Sequence, residues 1–202
     1  MSLNILLKPY QVILGSQSPR RSELLTKGDI PFIKQLREVE EIFPEDLNAH
    51  DVPEYLANLK AKAFDGFLLS NQILICADTI VIQDDKVIGK PKDREHAVQT
   101  LRTLSNTWHT VVSGVCFKTN SETHSFSQIS QVKFYELSND EIDFYIDQYK
   151  PFDKAGSYGI QDWIGVNKIR EIQGSYTNIM GLPMGKLYDE LTRFIMKIND
   201  GH

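Results

Sequence analysis

Asp78 stands inside an apolar run. From Ile73 the chain reads Ile-Leu-Ile-Cys-Ala-Asp78-Thr79-Ile-Val-Ile, the pattern of a strand covered on both faces, where an ionised carboxylate costs several kcal/mol unless it is paired or bound to a metal. Either backbone N–H groups at a bulge satisfy it or a cation does. The residues downstream offer one. If Asp84 and Asp85 make a two-residue hairpin turn, simple pairing sets Lys90 of Gly89-Lys90-Pro91 opposite Thr79 and beside Asp78. A one-residue slip would exchange the two faces.

A second group of reactive side chains lies near the start of the chain. Val12-Ile13-Leu14 is a short strand that runs into Gly15-Ser16-Gln17-Ser18-Pro19-Arg20-Arg21-Ser22. Ser18 suits a helix N-cap and Pro19 the first helical position, so Arg20 and Arg21 fall in the first turn. Cations are unfavourable at that end of a helix dipole, and an anion reverses the sign. Serine hydroxyls, free N–H groups and two guanidinium forks make a phosphate site, or else a solvated arginine pair on a surface helix.

Three further places carry charge or polarity. Glu38, Glu40 and Glu41 form a short acidic cluster of the kind that is usually solvated at a strand end. Lys60 and Lys62 flank an apolar helical stripe, from which they can snorkel to solvent or turn toward a ligand. The polar, glycine-containing passage from Asp153 to Gly165 holds Gln161, and loops of this composition either bind or merely connect.

The elements that must position these groups follow in order. Asp51 and Glu54 have capping-box spacing and open a helix to about Leu69, with Leu56, Leu59, Ala63 and Phe67 as its buried stripe. Asp93 caps a helix through Leu104. Trp108–Phe117 and Phe126–Phe134 read as strands. Ser138 and Glu141 form a second capping box, opening a helix that Pro151 ends. Val166–Ile172 reads as a strand, and a last helix buries Leu187, Leu191, Phe194, Ile195 and Ile198. Strands and helices alternate without strict βαβ order, which predicts an α/β chain with a mixed sheet.

With 202 residues, 41% of them hydrophobic, the chain can build one substantial core. A net charge of −5 argues against a broad nucleic-acid surface, so cationic groups that matter must be concentrated locally. Cys76 and Cys116 both lie in apolar runs, which suits core residues in a reducing compartment, and there is no Cys/His metal spacing. No apolar run reaches the roughly 18 residues of a membrane span, and the opening residues lack a signal-peptide pattern. A cytoplasmic location with no membrane partner is the expectation.

Several separated motifs then occur in one order: Ser16-Gln17-Ser18-Pro19-Arg20-Arg21-x-Glu23-Leu24-Leu25, Glu41, Lys60-Ala61, Ala77-Asp78-Thr79-Ile80-Val81, Gly89-Lys90-Pro91, Asp153-Lys154-Ala155-Gly156, Tyr158-Gly159-Ile160-Gln161, Gly174-Ser175-Tyr176 and Gly181-Leu182-Pro183. Together they resemble the Maf family of nucleoside triphosphate pyrophosphatases, relatives of the inosine triphosphate pyrophosphatase superfamily. The resemblance covers nearly the whole chain. It implies a single domain over residues 1–202, a two-lobed mixed-sheet fold with a cleft between the lobes, and hydrolysis of a nucleoside triphosphate to the monophosphate and pyrophosphate.

By the same resemblance, Asp78 is the proton acceptor and a metal ligand, Glu41 a carboxylate at the metal, and the cofactor a divalent cation, Mg or Mn. Ser16, Arg21, Lys60 and Lys90 become polyphosphate contacts. Arg20, Thr79 and Gln161 resemble the set of the branch acting on dTTP and UTP. A neutral amide at Gln161 can pair with both the N–H and the carbonyl of a pyrimidine edge, whereas a carboxylate only accepts. Gln17 and Asp162-Trp163 depart from the family pattern and bear on the shape of the base pocket. Two other functions compete: a nucleotide-binding regulator of septum formation, and a pyrophosphatase for 7-methyl-GTP. A homodimer is the implied assembly.

Overall fold

The structure, a computed structural model, describes residues 2–200. A four-residue helix, α1 (Leu3–Leu6), precedes strand β1 (Gln11–Leu14), helix α2 (Pro19–Lys27) and strand β2 (Phe32–Lys34). Helix α3 (Val52–Lys62) leads to the long strand β3 (Gln72–Gln83) and its short return β4 (Lys86–Ile88). Helix α4 (Arg94–Leu104) is followed by β5 (Trp108–Lys118), β6 (Thr123–Phe134) and helix α5 (Asn139–Tyr149). Helix α6 (Trp163–Lys168), strand β7 (Ile169–Gln173), helix α7 (Tyr176–Met180) and helix α8 (Met184–Asp200) complete it.

The strands form one sheet in the order β2-β1-β3-β5-β6-β7, with β4 beside β3. Strand β1 runs parallel to β2 and β3, while β4 opposes β3 and β7 opposes β6. This is the mixed α/β sheet expected from the element order. The chain divides into two compact units, the first holding residues up to 78, 113–128 and from 181 on, the second 79–112 and 129–180.

In the first unit α3 packs on the sheet through Ala57, Ala61, Phe64 and Leu68, against Ile13, Leu74, Cys76 and Cys116. The approach is close: a Cβ on Gly114 would lie 2.2 Å from the Glu54 backbone nitrogen. Helix α3 departs from expectation at both ends. Asp51 makes no side-chain cap, its own backbone being helical already (φ −90, ψ −17), and the other half of the supposed box, Glu54, is engaged elsewhere. Its two carboxylate oxygens accept from the Ser125 and Ser127 hydroxyls, each at 2.7 Å. The helix ends at Lys62 and not near Leu69, and Gly66 then turns the chain with φ +77. Phe67 is therefore 60% exposed, and the Arg37 guanidinium covers its ring at 3.4 Å. On α8, Leu187, Leu191, Phe194 and Ile195 are buried as the spacing predicts, while Ile198 is half-buried.

In the second unit three local signals act as read. Asp93 caps α4 by accepting from the His96 N–H, and Ser138 with Glu141 forms the capping box of α5. Asp84 and Asp85 make the two-residue hairpin turn, both with positive φ, 50° and 59°. Val166, expected in a strand, lies in α6. The apolar alternation begins only at Ile169, and a short helix precedes it because Gly165 seats flat on the carbonyl of Ile160, where a Cβ would come within 1.9 Å.

Candidate active site

Parallel pairing of β1 with β3 brings the carboxyl end of β1 beside the middle of β3. Leu14 is in register with Ile75, and the Gly15 N–H continues the ladder to the Ile75 carbonyl at 2.9 Å. Only a glycine fits there, since a Cβ on residue 15 would stand 2.6 Å from Cys76 Sγ. The chain leaves β1 as a loop just where β3 reaches Asp78. The crevice outside the carboxyl ends of parallel strands is where open α/β sheets bind ligands.

Ser16 to Arg21 form a tight cradle. Ser18 caps α2 by accepting from the Arg21 N–H at 3.4 Å, and Pro19 takes the first helical position, as predicted. The Ser16 hydroxyl oxygen, itself buried, accepts from the Ser18 N–H at 3.2 Å and from Arg21 Nη1 at 3.0 Å. Arg21 Nε donates to the Gly181 carbonyl at 2.9 Å. Burial lowers the Arg21 pKa, the charges of Asp78 and Glu41 raise it and that of Arg20 lowers it. The guanidinium stays cationic, since arginine does not lose its proton in proteins.

Asp78 meets a charge partner and not a bulge. Lys60 Nζ lies 2.5 Å from Asp78 Oδ1 and 3.0 Å from Glu41 Oε1. The Asp78 and Lys60 side chains are 12% and 16% exposed, against 50% for Glu41. Of the two readings of Lys60, the structure selects the inward one. Glu41 is likewise drawn from the acidic cluster into an ion pair. The first unit thus gathers Ser16, Arg20, Arg21, Glu41, Lys60 and Asp78 around the end of β1 and the middle of β3.

Thr79, Lys90 and Gln161 belong to the second unit. Thr79 follows Asp78 on β3 and is half-buried. The β3–β4 ladder has the register expected for a Thr79–Lys90 pair but stops at Val81 and Ile88. The Gly89 carbonyl instead accepts from the Gly156 N–H at 3.2 Å, so Lys90 leaves the ladder and is exposed. Gln161 occupies the third position of a β-turn closed by the Asp162 N–H on the Gly159 carbonyl at 3.0 Å. Its side-chain oxygen is buried and accepts no hydrogen bond.

The role of Gly181 escaped the sequence reading. Its carbonyl anchors Arg21 from 160 residues away, and its φ of +118 demands glycine. The Gly-Leu-Pro run was the only signal.

Fold and site define an α/β protein with an anion cradle at the carboxyl end of β1 and a lysine-bridged carboxylate pair beside it on β3. The chain belongs to the Maf family: the model of the Maf-like protein family matches residues 11–194. A dTTP/UTP pyrophosphatase of Flavobacterium psychrophilum is 51% identical over 88% of this chain and 91% of its own length. The dTTP/UTP pyrophosphatase of Flavobacterium johnsoniae is 47% identical over 94% and 97%. Among solved structures, the Ham1 protein of Staphylococcus aureus covers 61% of this chain and 71% of its own at 16% identity and TM-score 0.43, too loose a likeness to support an argument.

Proposed function

We propose that this protein is a divalent-metal-dependent pyrophosphatase that hydrolyses dTTP and UTP to the monophosphate and pyrophosphate. The observation that carries the reading is Asp78, a carboxylate buried in β3 and bridged by Lys60 beside the Ser16–Arg21 cradle. Near-full-length relatives named dTTP/UTP pyrophosphatase support the substrate class.

The residues fit a hard cation. Glu41 and Asp78 converge on one ammonium, and two carboxylates completed by phosphate oxygens and water are the donor set that Mg²⁺ or Mn²⁺ takes. No cluster of three or more acidic, His or Cys side chains suited to a metal occurs among the described residues. Bound there, the cation would polarise phosphoryl oxygens and lower the pKa of its water. Asp78 accepts the proton of the attacking water as the new oxygen bond to the α-phosphorus forms, and the bond from that phosphorus to the bridging oxygen breaks, releasing pyrophosphate. Arg21, Arg20, Lys60 and the Ser16 loop hold the negative charge, Arg21 being preset by Ser16 and Gly181. The family resemblance assigns Lys90 to the polyphosphate and Thr79 and Gln161 to the base, a neutral amide being able to pair with both the N–H and the carbonyl of a pyrimidine edge.

The free, buried thiols of Cys76 and Cys116 suit a reducing cytoplasm. No helix among the described residues is long and apolar enough to cross a membrane. A homodimer is the assembly that the family resemblance implies, and light scattering tests it.

Pyrophosphate release from dTTP, UTP, dCTP, GTP and 7-methyl-GTP, with Mg²⁺ or Mn²⁺, tests the reading. Turnover of dTTP and UTP that disappears in Asp78→Asn is expected. Wild-type turnover in Asp78→Asn overturns the role of Asp78. Preference for 7-methyl-GTP overturns the substrate, and binding of every nucleotide without release of pyrophosphate leaves only a regulator.

A further inference from the structure

The turn that carries Gln161 is held from beneath by one phenol. Tyr145, fully buried on α5, donates its hydroxyl proton to Asp162 Oδ2 at 2.9 Å and accepts the Gly159 N–H at 3.0 Å. Gly159 and Asp162 are the first and last residues of the four-residue turn, and Gln161 lies between them. One oxygen, using its donor and an acceptor site, therefore ties both ends of the turn.

The neighbours leave the turn little room. The Asp162 carboxylate folds over Gly159, where a Cβ would lie 2.5 Å from Oδ2. Gly165 abuts the Ile160 carbonyl from the other side. Lys154 Nζ stands 3.9 Å from Asp162 Oδ2 and 2.8 Å from Asp153 Oδ1, adding positive charge at the carboxylate. Burial and the Asp162 charge both raise the Tyr145 pKa, so the phenol keeps the proton it donates. Against this fixed frame the Gln161 side-chain oxygen is the polar atom without a partner.

We propose that Tyr145 and Asp162 are positioning residues for base selection: they lock the Gly159–Asp162 turn so that Gln161 meets the pyrimidine edge with its amide already oriented. The proposal rests on the reading of Gln161 as the base-reading residue. A loose turn would have to be ordered at each binding event, so the loss falls on base-dependent affinity and not on the chemical step at the α-phosphorus.

The test compares kcat and KM for dTTP and dCTP in the wild type, Gln161→Ala, Tyr145→Phe, Asp162→Gly and Asp162→Asn, with hydrogen exchange of the 155–163 segment. Tyr145→Phe keeps the buried ring, and Asp162→Gly probes the same link without touching it. Asp162→Gly, which loses one hydrogen bond, is expected to raise KM for dTTP about five- to tenfold, and Tyr145→Phe, which loses two, at least as much. Their kcat stays within about twofold, a split expected when only binding is lost. Selectivity over dCTP falls toward that of Gln161→Ala, and the Gly159 amide exchanges faster. Asp162→Asn, which keeps an acceptor oxygen, retains wild-type selectivity. If Gln161→Ala loses selectivity while Tyr145→Phe and Asp162→Gly keep it, the brace is overturned and the reading of Gln161 stands. If Gln161→Ala itself keeps selectivity, both are overturned.

Discussion

Lys60 and Asp78, from α3 and β3, are joined by an ion pair of 2.5 Å that takes one oxygen of a nearly buried carboxylate. Glu41 shares the same ammonium from a half-exposed position. The two carboxylates therefore differ in what they contribute to the fold, although both face one cation. Removing one partner of a buried pair leaves an uncompensated charge, whereas a surface pair contributes little.

Lys60→Met is expected to destabilise the protein by about 3 kcal/mol and to abolish turnover, because Asp78 then has no cation in place. Glu41→Gln is expected to change stability by less than about 0.5 kcal/mol while lowering activity and raising the metal concentration needed for half-maximal rate. Urea unfolding and metal titrations of the two variants separate these effects. Equal destabilisation by both would show that the asymmetry in burial has no energetic weight.

Gly114→Ala is expected to be severely destabilising, by more than about 3 kcal/mol, since the added carbon meets backbone at the start of α3 and not a flexible side chain. Gly185, with open space around its position, serves as the comparison: Gly185→Ala in α8 should be neutral or stabilising by up to about 1 kcal/mol. Thermal melts of the pair decide.

His109 is buried, stacked on Phe134, and joined through Nε2 to the Tyr158 hydroxyl at 2.8 Å. Burial lowers its pKa from the ordinary 6.5 to about 3. The unfolded chain takes up a proton below pH 6.5 that the folded protein refuses, so stability falls as pH drops through that window toward 3. His109→Gln is expected to flatten the acid limb of a stability profile measured between pH 4 and pH 7. An unchanged slope would place the acid sensitivity elsewhere.

Cys76 and Cys116 have their pKa values raised to about 12 by burial, so both persist as thiols at neutral pH. Iodoacetamide should leave the native protein unlabelled at pH 8 and modify both residues in urea. Above pH 9 the unfolded thiols ionise and the folded ones do not, which adds an alkaline loss of stability.

Local chemistry was legible in the residues. Ser18, Asp93 and Ser138 each cap a helix through a backbone N–H three residues on, so their signal lies within one turn of sequence. Asp51 has helical backbone and makes no cap, and the reciprocal half of its box is lost for a nonlocal reason: Ser125 and Ser127 claim Glu54 from more than 70 residues away. Val166 was misplaced because a backbone contact between Gly165 and Ile160 leaves no mark in hydrophobic periodicity. At the site, composition suggested the arginine cradle and the need of Asp78 for a partner. It offered Lys90 as that partner through hairpin register, but the ladder stops at Val81 and Ile88 and Lys60 answers from α3, because spacing does not tell where the rotation of α3 points Lys60 and Lys62.

The long reach of Arg21 to Gly181 bears on how the protein is made. During synthesis the Ser16 loop, Lys60 and Asp78 all emerge from the ribosome well before Gly181, and at about 5–20 residues per second the interval lasts several seconds at least. A nascent chain halted before residue 181 would hold its cationic cradle without the carbonyl that orients it, so competence for nucleotide arrives late in translation.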